Sequence, residues 1–408
     1  MKKTLKFIAL ILCFALIASF AACAGGSNDE SAKSSDTDAS ATDDASATDD
    51  ASQNAPAAEG AFKIGLIGPL TGGAAIYGNA AKNGAQIAVN EINAKGGIQF
   101  DYKAEDDEHD PEKSVNAYNT LVDWGMQVLV GPITTKPAVA VSAEAFADRI
   151  FCLTPSASST DVINDKDNMF QVCFTDPNQG TASADYIAAN FAGKSVAVIY
   201  KNDDAYSQGI RDTFVKEAEA KGITVAYEGT FTEATSTDFS VQVTAAQSSG
   251  AEIVFLPMYY EPASVILKQA NDIGYKPIFF GVDGMDGILT MEGFDASLAE
   301  GVMLLTPFSA DDPNAADFVK AYQDAYGEIP NQFAADGYDA VYTIYQALQE
   351  SGCTADMTPA EICEKLIAVM TSISVDGLTG KGMTWDASGA VSKDPMAVVI
   401  KDGAYVTP

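Results

Sequence analysis

Histidine occurs once in the 408 residues, at His109, and no Cys-x-x-Cys pair is present. A metal centre assembled from the usual nitrogen and sulfur donors is therefore not expected. The recurrent catalytic patterns are missing as well: there is no His-Glu-x-x-His, no Gly-x-Ser-x-Gly, and no Gly-x-Gly-x-x-Gly at the first strand. Ala192-Gly193-Lys194-Ser195 has the ending of a phosphate loop, but Ala188 stands where glycine is required, and the segment precedes a strand instead of following one. Neither an enzyme nor a bound cofactor is expected. Basic residues are also scarce, with 24 Lys and Arg against 56 Asp and Glu and a formal net charge of −32. Charge of that sign repels nucleic acid and anionic lipid surfaces, which removes both as partners. His109 itself lies in an acidic loop before a helix and is expected to face solvent.

The chain begins Met1-Lys2-Lys3-Thr4-Leu5-Lys6 and continues with an apolar run from Phe7 to Ala22, broken only by Ser19. Basic, apolar and small residues follow one another as in a secretory signal, and the run is too short to span a bilayer comfortably. It ends in Phe20-Ala21-Ala22-Cys23-Ala24, which resembles the lipobox of bacterial lipoproteins, with Phe20 where an aliphatic residue is usual. That resemblance implies a signal peptide over 1–22 and a lipid on Cys23. From 23 to 60 the chain has almost no large apolar residue and repeats Ala-Ser-Ala-Thr-Asp-Asp at 39–44 and 45–50. Such a segment cannot bury enough surface to offset its ordering entropy, so a disordered acidic tether is expected. The remaining body of roughly 348 residues carries a net charge of −27 and is long enough for two domains. Cys152 and Cys173 sit in apolar runs, as buried thiols would. Cys353 and Cys363 flank a loop and a helix start, which leaves their pairing open.

Short runs rich in Val, Ile and Phe alternate with helix-period segments through most of the body. The runs are 63–70, 100–105, 127–131, 150–154, 169–174, 195–200, 224–231, 252–257 and 277–282. Continuous apolar strands separated by helices predict an α/β fold with doubly wound parallel sheets covered on both faces. Asp110-Pro111, Asp176-Pro177 and Asp312-Pro313 each place a capping Asp before a first-turn Pro, and Thr358-Pro359-Ala360-Glu361 is a capping box. In such sheets a ligand sits beyond the C-terminal ends of the strands.

The strand ends carry Thr134-Thr135 after the third run, Ser156 and Ser158 after the fourth, and Asp283 between Val282 and Gly284 after the last. Hydroxyls and free N–H groups at helix entrances suit a carboxylate, and an acid among small residues suits an ammonium. Together they fit a zwitterion. The same hydroxyls would also serve as helix caps, and Asp283 as a solvated loop residue, so the residue types alone leave both roles open.

The order and spacing of Ile64–Gly78, Asn93–Ile98, Asp106-Asp107 with Asp110-Pro111, Gly131–Pro137, Thr154–Ser158, Asp176–Gly180, Asp203–Gly209, Tyr259-Tyr260, Gly281–Gly284, Glu300–Pro307 and Trp385–Gly389 resemble those of the leucine/isoleucine/valine-binding proteins of ABC importers. The resemblance covers nearly the whole body. It implies the type 1 periplasmic-binding-protein fold: one lobe from 61–176 plus 308–383, a second from 177–307 plus 384–408, and a three-crossing hinge near 174–176, 306–309 and 382–385. Carried over by position, Thr135, Ser156 and Ser158 would hold the carboxylate and ammonium. Tyr206 and Tyr259 would close over the ligand, and Asp283 would take the ammonium. Tyr77, Ile133 and Phe333 would line the side-chain pocket. Some relatives carry a disulfide between two of these loops, but His109 and Thr134 occupy the corresponding places here.

The implied function is capture of a small amino acid, branched-chain in the first instance, for delivery to a permease and its ATPase subunits. The implied form is a monomer held by lipid at the outer face of the cytoplasmic membrane, in a bacterium with no outer membrane. A sensing module for a receptor, or a binder of an amide or urea-type solute on the same frame, are the alternatives.

Overall fold

The computed structural model describes residues 60–408, so the signal segment, Cys23 and the tether lie outside the described residues. The first sheet contains β1 (Phe62–Gly68), β2 (Phe100–Asp106), β3 (Val128–Val130), β4 (Phe151–Thr154) and β5 (Met169–Gln171). Its helices are α1 (Ala75–Lys95), α2 (Pro111–Trp124) and α3 (Thr135–Asp148). Strand order is β2-β1-β3-β4-β5, and every pairing is parallel. Every residue of β3 and β4 is buried, as a parallel strand covered on both faces requires.

The chain then passes through α4 (Asp176–Asn190), β6 (Val196–Lys201), α5 (Ala205–Lys221), β7 (Val225–Phe231), α6 (Ser240–Ser248), β8 (Ile253–Leu256), α7 (Tyr260–Asp272), β9 (Ile278–Gly281) and β10 (Met303–Thr306). It returns to the first lobe for α8 (Ala316–Tyr326), α9 (Gln332–Ser351) and α10 (Pro359–Met370), and ends in β11 (Met396–Lys401) and β12 (Ala404–Val406). The second sheet runs β12-β11-β10-β9-β8-β6-β7. It is not wholly parallel: β11 lies antiparallel to β10, and β12 antiparallel to β11. Neither sheet closes into a barrel. The molecule is thus α/β with two parallel-sheet lobes.

Glycines set how closely α1 and α9 approach. A Cβ on Gly84 would lie 1.8 Å from the Ala334 carbonyl oxygen, and one on Gly337 would lie 2.3 Å from that of Ala81. Two backbones therefore touch where side chains would hold them apart, and this packs the last long helix against the first.

Three segments link the lobes. The first follows β5 and the second follows β10. The third lies later than 382–385: Trp385 donates from Nε1 to the Gln171 carbonyl at 2.7 Å, and Gln171 N–H bonds the Gly389 carbonyl at 3.0 Å. Trp385 through Gly389, expected in the second lobe, therefore pack against the edge strand β5 of the first sheet, and the chain joins the second sheet at Met396. Lys393 in that crossing is buried, and its Nζ donates to the Val172 carbonyl at 2.9 Å and to Thr379 Oγ1, with Asp336 Oδ1 at 3.2 Å.

All four described cysteines are buried free thiols, so Cys353 and Cys363 are not bridged. Asp110 and Thr358 cap α2 and α10 as their patterns predict, and Asp312 caps a single 3-10 turn before α8. The cap of α4 is different. Thr175 supplies it, accepting from Asn178 N–H, and Asp176 falls inside the first turn.

Candidate functional site

Both sheets direct the C-terminal ends of their strands to the seam between the lobes. Thr135 opens α3, and its hydroxyl is buried without a hydrogen-bond partner. Ser158, on the loop after β4, is likewise buried with an unpartnered Oγ. Ser156 differs. Its hydroxyl donates to the Ile133 carbonyl at 2.7 Å, which fixes the loop and leaves only backbone groups for a ligand.

Facing these groups is the second lobe. Asp283 follows β9 and is buried, and the Tyr206 hydroxyl donates to its Oδ1 at 2.5 Å. The same Tyr206 oxygen accepts from Gly284 N–H at 3.0 Å. Burial pushes the Asp283 carboxyl up to about 6, because removal from water penalises the charged form more than these hydrogen bonds favour it. Tyr206 and Tyr259 stack with ring centroids 4.8 Å apart.

Aromatic contacts join the lobes. Tyr77 on α1 packs against Tyr259 at 5.4 Å, Tyr260 at 4.9 Å and Phe333 at 4.3 Å between centroids. Its hydroxyl donates to the Gly284 carbonyl and accepts from Tyr260 N–H, while the Tyr260 hydroxyl donates to the Gly73 carbonyl at 2.6 Å. Ile133 is buried beside Gly68 on the first lobe. The structure thus brings Tyr77, Phe333, Tyr206, Tyr259 and Asp283 into one linked cluster. The lobes are in contact across it.

Three further polar residues belong here that the sequence reading passed over. Asp176 is buried with both carboxylate oxygens unpartnered, Asp204 caps α5 through Oδ2 and leaves Oδ1 unpartnered, and Gln179 has an unpartnered Nε2. Burial raises the carboxyls of Asp176 and Asp204, and each is raised further by other acids. Gln179 accepts from Asp283 N–H at 3.3 Å, so it stands beside the acid. Asp176 was hidden by its own pattern, since an Asp before a Pro reads as a helix cap. Had Thr175 been read as the cap, Asp176 would have been left without a task.

His109 is not solvent-facing. It lies half-buried in the seam, with Nδ1 2.8 Å from Thr134 Oγ1 and its ring edge-on to Tyr259 at 5.5 Å. Two cavities of about 380 and 510 Å³ lie elsewhere, sharing Thr290, Glu328, Ile329 and Asn331, and neither includes any of the predicted site residues. Among the described residues no group of acids, histidines and cysteines is placed to hold a metal ion.

Two doubly wound lobes with polar, buried strand ends meeting at a seam define a solute-binding protein of the two-lobed kind. The model of the periplasmic binding protein family matches residues 61–404, and the chain belongs to that family. A Leu/Ile/Val-binding protein homolog from Brucella melitensis is 32% identical over 308 residues, covering 74% of this chain and 82% of the relative. A leucine-, isoleucine-, valine-, threonine- and alanine-binding protein from Pseudomonas aeruginosa is 28% identical, covering 76% and 83%. Among solved structures, the branched-chain amino acid transporter substrate-binding protein of Streptococcus pneumoniae, in complex with isoleucine, superposes with a TM-score of 0.76 at 26% identity. The match covers 85% of this chain and 100% of that one. A leucine-binding protein from Thermotoga maritima gives 0.76 at 25% identity, covering 85% and 97%.

Proposed function

We propose that the protein captures an aliphatic amino acid, branched-chain in the first instance, between its lobes and delivers it to an ABC importer. One observation carries the reading. Buried hydroxyls without partners, Thr135 and Ser158, stand on one lobe, buried acids, Asp204 and Asp283, stand on the other, and Asp176, whose N–H donates to the Ser158 carbonyl at 3.0 Å, lies buried at the first crossing between them. Buried polar groups are ordinarily hydrogen-bonded, so a clustered set of unpaired ones is what a polar ligand would satisfy. Hydroxyls and N–H groups at the entrance of α3 suit a carboxylate, the acids suit an ammonium, and the neighbouring Tyr77, Ile133 and Phe333 suit an apolar side chain. Ser156 contributes through its backbone.

Closure over such a ligand would bring the second lobe's Tyr206, Tyr259 and Asp283 onto a molecule first held by Thr135 and Ser158. The ligand would stabilise the closed state by the contacts that only that state allows. A permease and its ATPase subunits would then read the closed shape. The lipobox-like Cys23 and the acidic segment after it would keep a monomeric binder on a leash at the outer membrane face, a device suited to a cell with no outer membrane. No catalytic step is part of this role.

The apolar wall ranks side chains modestly. At about 0.8 kcal/mol per buried CH₂, leucine is expected to bind roughly 60-fold more tightly than alanine. A thermal-shift series with leucine, isoleucine, valine and alanine, with short amides and urea alongside, tests this. At a thousandfold excess over Kd a ligand adds about 4 kcal/mol of stability, enough to be seen plainly. A shift from an amide or urea with none from the aliphatic series would overturn the substrate class and leave the fold untouched.

A further inference from the structure

The one histidine occupies a position that only the closed arrangement creates. On its own loop, Asp107 Oδ1 accepts from His109 N–H at 2.9 Å, Glu108 is engaged by Lys113, and Asp110 caps α2. The start of α3 contributes its cap residue Thr134, at 2.8 Å from Nδ1, and Lys136 in its first turn. The second lobe contributes the Tyr259 ring and the charges of Lys201 and Glu233. Glu233, paired with Lys201, and Asp110 favour the charged ring, but burial, Lys201 and Lys136 outweigh them. A proton placed on His109 would lie within reach of two lysines, one from each lobe, and out of much of the water that would otherwise hydrate it.

We propose that His109 makes lobe closure proton-sensitive: the cleft shuts over the neutral imidazole, and the charged ring holds the lobes apart. The proposal rests on the closure mechanism above. Burial, then Lys201 and Lys136, depress the imidazole from its ordinary 6.5 to about 4. When the lobes part, Tyr259, Lys201 and Glu233 leave with the second lobe, and the ring returns toward the ordinary value. The sign follows from linkage. Closure is unimpeded above pH 6.5 and must expel a proton below it, so affinity falls by up to tenfold per pH unit between those two values. At pH 5.5 the loss attributable to this one group is about tenfold relative to pH 7.5.

Since the chain has one histidine, its C2 proton gives a single imidazole resonance to titrate. Full-length protein would be titrated by proton NMR with and without saturating L-leucine, and leucine affinity measured by calorimetry at pH 7.5 and 5.5 for wild type and His109→Gln. Gln keeps a hydrogen-bonding group for Thr134 but cannot take up a proton. Protonation of Asp283 or Asp176 weakens both proteins alike, so the ratio of their affinities isolates His109. The expected results are a midpoint near 6.5 without leucine, one below 5 with it, and a wild-type affinity that falls about tenfold relative to the variant between the two pH values. Leucine binding with an unmoved midpoint, or an affinity ratio that stays constant with pH, overturns the proposal while leaving the binding function intact. Absence of any leucine heat removes the closure on which it stands, and so overturns both.

Discussion

Replacing Asp283 with alanine is expected to weaken amino-acid binding by about two orders of magnitude while leaving the melting temperature of the free protein nearly unchanged. The ammonium of a ligand buried between the lobes needs a counter-charge, and a hydrogen bond to a charged group contributes roughly 1.5–3 kcal/mol. Asp283 also accepts from Tyr206, which in turn accepts from Gly284 N–H, so its removal frees the ring that stacks on Tyr259. Both effects reduce affinity. The free protein is spared because the lost carboxyl was itself held up to about 6 by burial, a sign that its ionised form is costly without a partner. Isothermal titration of the variant with leucine checks the first claim and a thermal melt the second. Asp176→Asn provides the companion measurement, since that acid has both oxygens unpartnered in the same place. Wild-type affinity in the Asp283 variant would transfer the ammonium to Asp176 or remove it from the site.

The second large effect concerns the hinge. Lys393→Met is expected to destabilise the fold by about 3–5 kcal/mol, because it strips the positive charge from a buried network and leaves acids behind. Lys393 and Asp336 expose only 1% and 2% of their side chains. Asp339 stands close by, accepting from Leu378 and Thr379 N–H at 2.8 Å each and from the Thr379 hydroxyl at 2.6 Å. Even with Lys393 present, burial raises Asp336 to about 7, so its ionised form depends on that ammonium. A fall of on the order of 10 °C in melting temperature is the corresponding readout. Adding Asp336→Leu to the Met variant is expected to recover part of the loss, since an apolar pair no longer buries an unmatched charge. A thermal melt of Lys393→Met within 2 °C of wild type would show that the network contributes little.

How legible all this was depended on how local each signal is. The nine strands read from the sequence are present within a few residues, because a parallel strand buried on both faces leaves a continuous apolar run. Met303–Thr306 passed unnoticed at four residues, although all four are buried. Met396–Lys401 alternates between exposed and buried positions, as befits the antiparallel strand next to the sheet edge, and that pattern is weak over six residues. The third crossing was misplaced for a different reason. Nothing local says that the Trp385 indole reaches 214 residues back along the chain to Gln171.

The candidate site divides in the same way. Thr135, Ser158, Asp283, Tyr206 and Tyr259 all follow strand ends and come from that rule, though the role of the two tyrosines came from the resemblance, as did Phe333 altogether. Asp176 was masked by a plausible cap. His109 was judged by its acidic neighbours in sequence, but its backbone is left-handed, with φ of 61°, and its ring lies against Thr134 and Tyr259 in the seam. Its burial depends on residues of another lobe, which composition does not convey.

Capture of a zwitterionic aliphatic amino acid by hydroxyls on one lobe and acids on the other is the central claim, and it is tested most directly by titrating the protein with leucine, with isoamylamine, which lacks the carboxylate, and with 4-methylpentanoate, which lacks the ammonium. All three carry the same apolar branch. The prediction is tight binding of leucine and at least a hundredfold weaker binding of either analogue. Binding of the amine or the acid as tightly as leucine would contradict it.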